Sequence, residues 1–197
     1  MAVKTSWFSL DPDLGINFNQ TYAGVNSVAA SVTSTGNIDQ GSLVVASDSL
    51  GTTRQGTDGS QWILVKASTT ITQFNLIVFD DSYNANNFAT ALALTGFNLA
   101  VAQFGTYLGQ SVVSVDPSTN PVFWAAVRGT GMQIAISGSA GTGAILSNGV
   151  SPGCVTVSTT TGTQLAGIQI LVSQTTGAAA IIPVECNINF PKLRNFW

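Results

Sequence analysis

Along this chain the apolar positions come in short runs, and each run stops at a residue that breaks regular structure. Leu99 to Phe104, Ser111 to Val115, Val122 to Val127 and Met132 to Ile136 are separated by Gly105, Gly109, Asp116-Pro117, Asn120-Pro121 and Gly129-Thr130-Gly131, the signature of strands punctuated by turns. In the last run Met132, Ile134 and Ile136 can face one side while Gln133, Ala135 and Ser137 face the other, the period of two expected of a half-buried strand. Trp62-Ile63-Leu64-Val65 does not alternate, which predicts a strand covered on both faces. Phe123-Trp124 supplies the bulk that the centre of a sandwich or small barrel needs. The pattern predicts an all-β protein, an antiparallel β-sandwich or small β-barrel, with its core over residues 41–197 and an extended N-terminal arm before it.

The remaining runs follow the same grammar. Gly41 to Val45, Trp62 to Lys66 and Phe74 to Phe79 are expected as the first core strands, joined by a Gly, Thr and Ser-rich loop from Asp48 to Ser60. Asp80 to Asn98 is expected to be a loop with an optional helical turn, in which Asn84 or Asn86 caps and Phe88 and Leu92 stack at i, i+4. Later strands are expected at Ala144 to Leu146, Cys154 to Ser158, Ile168 to Val172, Ala179 to Val184 and Glu185 to Phe190, with Pro183 pointing to an edge position. Gly129-Thr130-Gly131 and Gly141-Thr142-Gly143 read as hairpin turns, because neither sits between a strand and a helix as a phosphate loop does.

Residues 1–40 carry Trp7, Phe8, Phe18 and Tyr22 among Asn, Ser, Thr and Gly with no sustained period. Aromatic anchors in polar sequence suit a segment that orders against something else, so these four are the candidate partner-binding residues. The alternative is a first strand packed on the same domain.

Composition sharpens this into a statement about chemistry. Of 197 residues only 8% are charged while 45% are hydrophobic, and the net charge is −3. Ser and Thr take over the polar surface, leaving little electrostatic protection against association, so an oligomer or assembly component is expected. Nucleic acid is not an expected partner, since no concentrated basic footprint exists beyond Lys192 and Arg194. There is no histidine and a single glutamate, Glu185, which removes the usual general base, the commonest zinc ligand and the His-dependent triads. Asp80, Ser82, Asn84 and Asn86 have the odd spacing of a calcium loop, but Ala85 and Ala91 stand where that loop needs glycine and a bidentate glutamate. No catalytic residue, metal or cofactor is therefore expected, and the chain is not expected to be an enzyme. Cys154 and Cys186 could pair, but two cysteines in a chain this long make no disulfide framework, and the expectation is two buried thiols. The N-terminal residues lack the apolar core of a signal peptide, and Phe88 to Phe104 is too interrupted to cross a membrane.

The order of the motifs itself resembles a known family. V-A-Q-F-G-T-Y-L-G-Q-S-V (Val101 to Val112), F-W-A-A-V-R-G-T-G (Phe123 to Gly131), S-P-G-C-V (Ser151 to Val155), G-I-Q-I-L-V-S (Gly167 to Ser173) and N-F-P-K-L-R (Asn189 to Arg194) together resemble the small β-rich decoration, or cement, proteins of tailed bacteriophage heads. The resemblance implies a virion structural protein made in the host cytoplasm. It implies docking on the outside of the capsid, with the major capsid protein and other copies of itself, as a homotrimer, for partners. Two other classes fit the composition: a carbohydrate-binding β-sandwich, with Trp62, Trp124 or Tyr107 as its stacking platform, and a structural subunit of a phage tail or fibre.

Overall fold

A computed structural model describes residues 18–19, 21–24, 49–88, 107–148, 151–157, 163–175 and 181–195. The strands expected at Gly41 to Val45 and Leu99 to Phe104 lie outside these residues, as do Trp7, Phe8 and Leu92. The described residues contain no helix and form eleven strands: β1 (Thr21–Tyr22), β2 (Thr53–Gln55), β3 (Gln61–Ala67), β4 (Leu76–Phe79), β5 (Asn84–Asn87), β6 (Tyr107–Ser111), β7 (Val122–Ser137), β8 (Leu146–Asn148), β9 (Val155–Val157), β10 (Thr163–Ile170) and β11 (Ile181–Asn195). The all-β class predicted from the alternation is the class observed. The strands join in the order β11-β10-β8-β9-β7-β6-β4-β5-β3-β2, and β7 also pairs β1, β3 and β11. Pairing is antiparallel except between β3 and β5 and between β7 and β9, so the sheet is mixed.

β7 organises the fold because both of its faces are apolar. Its first half, Val122 to Val127, is buried throughout. Alternate side chains serve two separate cores on the two faces of the β3–β7 pair. Trp62 and Leu64 pack with Trp124 and Ala126 on one face, while Val65, with Ile63 packed against it, joins Phe123, Ala125 and Val127 on the other. This is why the Trp62 to Val65 run shows no alternation. Trp62 still satisfies its indole: Nε1 donates to Ser60 Oγ at 2.6 Å, and that hydroxyl donates to the Asp58 carboxylate at 2.5 Å, a charge-assisted chain that lets a polar atom sit in a dry core.

Three expectations are corrected by the backbone. Gly129-Thr130-Gly131 is not a hairpin but a bulge inside β7, where the register against β11 slips between Cys186 and Ile188. Gly131 takes φ +65°, the left-handed conformation that glycine adopts without steric cost. Asn84 and Asn86 do not cap a helix. They belong to β5, which lies between β4 and β3, and its weak intrinsic strand preference is overridden by pairing on both sides. The N-terminal arm does not extend over all of 1–40. β1 pairs β7, Thr21 opposite Phe123 and Tyr22 opposite Val122, so the core begins before Gly41.

Pro183 lies opposite Ala135 on β7, beyond the reach of β10, whose last paired residue, Ile170, faces Cys186. Among the described residues only one side of β11 is paired there, so a residue without an N–H is tolerated, the edge placement that the sequence predicts.

Candidate functional site

The expected anchors separate into two groups. Trp7 and Phe8 lie outside the described residues. Phe18 and Tyr22 are completely buried in this chain's own core, beside Trp62 and Trp124. They are therefore not displayed to a partner: a buried aromatic beside two tryptophans gains more by filling its own core than a solvated one could keep in reserve. Trp62 and Trp124 are also fully buried, so neither forms a carbohydrate-stacking platform, and the Tyr107 side chain lies outside the described set.

The Asp80 segment is accounted for by turn chemistry. One Asp80 oxygen accepts from the backbone N–H groups of Ser82 and Asn84, both at 2.9 Å, and the Asn84 amide donates to the same carboxylate. This closes the β4–β5 turn. No cluster of three metal-ligating side chains occurs among the described residues. Cys154 and Cys186 are free, buried thiols, as expected. Burial, with Glu185 nearby, pushes the Cys186 thiol up to about 12, and burial also raises Cys154; neither is an activated nucleophile. Among the described residues no helix is long and apolar enough to cross a membrane.

What the structure adds is a groove of about 480 Å³ lined by Thr53, Gln61, Ile63, Phe79, Asp81, Tyr83, Val127, Phe190 and Pro191. Its floor comes from the second core: Phe79 and Val127 are buried there and Ile63 packs against them. Thr53 and Asp81 stand exposed at its rim and Gln61 is half-buried. Of its three aromatic residues, Phe79, Tyr83 and Phe190, the last two hold unusual backbone. Tyr83 has φ +62° and Phe190 φ +46°, conformations costing about 1–3 kcal/mol each for a residue with a side chain.

Each of these aromatics is backed by a glycine. The Tyr83 ring lies on Gly51, in the space a Cβ there would fill, and Gly51 has φ +87°. Gly167, at φ +82°, marks the irregularity in β10 opposite Phe190, and a Cβ on it would collide with the Asn189 carbonyl. The bulge thus turns Phe190 outward, and half of its surface is exposed. Tyr83 also packs tilted against Phe79, with ring centroids 6.5 Å apart.

Sequence reasoning missed this groove because its walls come from five strands and one turn spread between Thr53 and Pro191, and positive φ at Tyr83 and Phe190 leaves no mark in composition. The one available signal was the length of the Asp80 to Asn98 connection, within which Asp81 and Tyr83 lie.

Taken together these features define an all-β, mixed-sheet protein with a shallow aromatic groove. Comparisons with protein-family models, with curated proteins and with solved structures gave no match.

Proposed function

We propose that the chain is a structural protein of a bacteriophage head, a decoration protein that grips neighbouring capsid subunits from outside and carries out no chemical step. In this reading its partners are the major capsid protein and other copies of itself, as a trimer, and Trp7 and Phe8 are the anchors that reach them. The observation that carries the reading is how the five resembling motifs fall in the fold. Phe123 to Gly131 lies in β7, Ser151 to Val155 leads into β9, Gly167 to Ser173 runs through the end of β10, Asn189 to Arg194 lies in β11, and Val101 to Val112 contains β6. Far apart in sequence, they fall in or beside β11, β10, β9, β7 and β6, which are joined by the β10–β11, β11–β7, β7–β9 and β6–β7 pairings, so motifs distant along the chain meet in one connected part of the sheet. A contact surface is also present: Ile145, Val172 and Ile181 are exposed apolar side chains around the end of β7, where Ile181 pairs Ser137 and Gln174 bridges Ala140. An interface of standard size, about 1,600 Å² in total, repeated over a shell suffices for a strong collective grip.

The test is to purify heads with and without the protein and heat them in parallel. The reading requires the chain in purified virions and a lower rupture temperature for heads that lack it, with shell geometry unchanged. Heads that resist heat equally well in its absence overturn it.

A further inference from the structure

We infer that the groove between Tyr83 and Phe190 is a binding site for a neutral carbohydrate. This inference does not rest on the proposed role in a phage head, and its test does not involve capsids.

The first support is the investment of structure in two of the groove's aromatics, Tyr83 and Phe190. Among the described residues only Phe74, Tyr83 and Phe190 carry a side chain at positive φ, and two of these three line the same groove. Each is set in place by a glycine that admits no side chain, Gly51 under the Tyr83 ring and Gly167 behind the Phe190 backbone. Strain retained at two points of one groove, with half of Phe190 left in water, is the pattern of a ligand clamp rather than of core packing.

The second support is the chemistry of the lining. Aromatic faces over an apolar floor of Ile63, Phe79 and Val127 suit the C–H face of a pyranose ring, which packs on the electron-rich face of an aromatic. The rim supplies a side-chain amide (Gln61), a hydroxyl (Thr53) and a carboxylate (Asp81). Together these can both donate to and accept from sugar hydroxyls. Among the described residues none of these three side chains has a hydrogen-bond partner within the chain, so each can be used by a ligand. The volume, about 480 Å³, lies in the usual range for small-ligand sites.

The same lining disfavours other occupants. A phosphate or other anion would find no cation in the described wall and one carboxylate. A lipid tail would strip water from Gln61, Thr53 and Asp81 without returning hydrogen bonds. A proline-rich peptide suits aromatic grooves, but proline has no N–H and leaves the Asp81 carboxylate without a donor.

Saturation-transfer NMR on the full chain tests this, with lactose, maltotriose, cellotriose and chitotriose as probes and a proline-rich decapeptide and inorganic phosphate as comparisons. At least one saccharide is expected to bind, with saturation strongest on its ring C–H protons. Phe190→Gly should weaken that binding at least tenfold while its melting temperature stays the same or rises, since glycine relieves the strain at φ +46°. Thr53→Val, an exposed and nearly isosteric change, should weaken binding without altering folding. The inference is overturned if no saccharide binds, if Phe190→Gly and Thr53→Val bind as well as the parent chain, or if the peptide or phosphate binds in place of the sugars.

Discussion

Phe18 lies face to face on Trp62, with ring centroids 4.7 Å apart and planes 10° from parallel, and meets Trp124 nearly edge-on at 5.3 Å and 71°. Stacked and edge-on geometries each add about 0.5–1.5 kcal/mol beyond the area they bury. A residue far upstream of β3 and β7 thus helps to complete the core those strands form.

Phe18→Ala is accordingly expected to lower stability by about 3–5 kcal/mol, the usual cost of emptying a buried aromatic site. A chain beginning at Gly41 loses Phe18, Tyr22 and β1 together, and is expected to show no cooperative urea transition. Retention of the parent midpoint by the shortened chain contradicts this account of the core.

Gly51 and Gly59 form a natural pair for isolating the Tyr83 contact. Both have positive φ, +87° and +78°, but a Cβ on Gly59 meets nothing within 4 Å whereas one on Gly51 runs into the Tyr83 ring. Gly59→Ala carries only the backbone penalty, about 1 kcal/mol. Gly51→Ala adds the displacement of the ring, so its loss in urea denaturation is expected to be larger by about 1–3 kcal/mol. Equal losses would mean that the ring moves aside freely.

Much of this architecture was legible in the residues. The unbroken Trp62 to Val65 run marked a strand buried on both faces, and Pro183 marked the stretch of β11 that is paired on one side among the described residues, because burial and a missing N–H act locally. The bulge at Gly129 to Gly131 was not legible: the same glycines serve a hairpin or a bulge, and only the pairing of β11 across them decides. β5 was hidden for a related reason, since Asn84-Ala85-Asn86-Asn87 has little strand preference of its own and is held by its neighbours. Phe18 and Tyr22 lacked periodicity because β1 is only two residues long, too short to show one. The groove was invisible because it depends on Tyr83 and Phe190 being turned by glycines remote in sequence.

The buried thiol of Cys186 is expected to weaken the fold at alkaline pH. Its folded value is about 12 against an ordinary 9.0, so the unfolded chain loses the proton first as pH rises. Stability from this group is fully present below about pH 9 and declines from there to about pH 12, by about 1.4 kcal/mol per pH unit. Cys154 shifts in the same direction. Urea midpoints taken at pH 7 and pH 10 are expected to fall in the parent chain and to fall less in Cys186→Ala. An equal fall in both would assign the alkaline loss to other groups.

Attachment in the proposed role is expected to run through apolar surface, and salt separates that from a charge-driven grip. The described exposed charges are few and scattered: Asp58, Lys66, Asp80, Asp81, Asp116 and Arg128. Screening therefore has little favourable attraction to remove, while burial of Ile145, Val172 and Ile181 is not screened at all. These side chains already stand in water, between 43% and 53% exposed, so replacing them changes folding stability by no more than about 0.5 kcal/mol. The double variant Val172→Glu, Ile181→Glu places two carboxylates at the same end of the sheet, which an apolar contact must desolvate without partners. It is expected to fold with an unchanged melting temperature and to fail to co-sediment with heads, while the parent chain stays bound at about 1 M salt, where the screening length is about 3 Å. Release of the parent chain at moderate salt, or full attachment of the double variant, rules out this face as the contact.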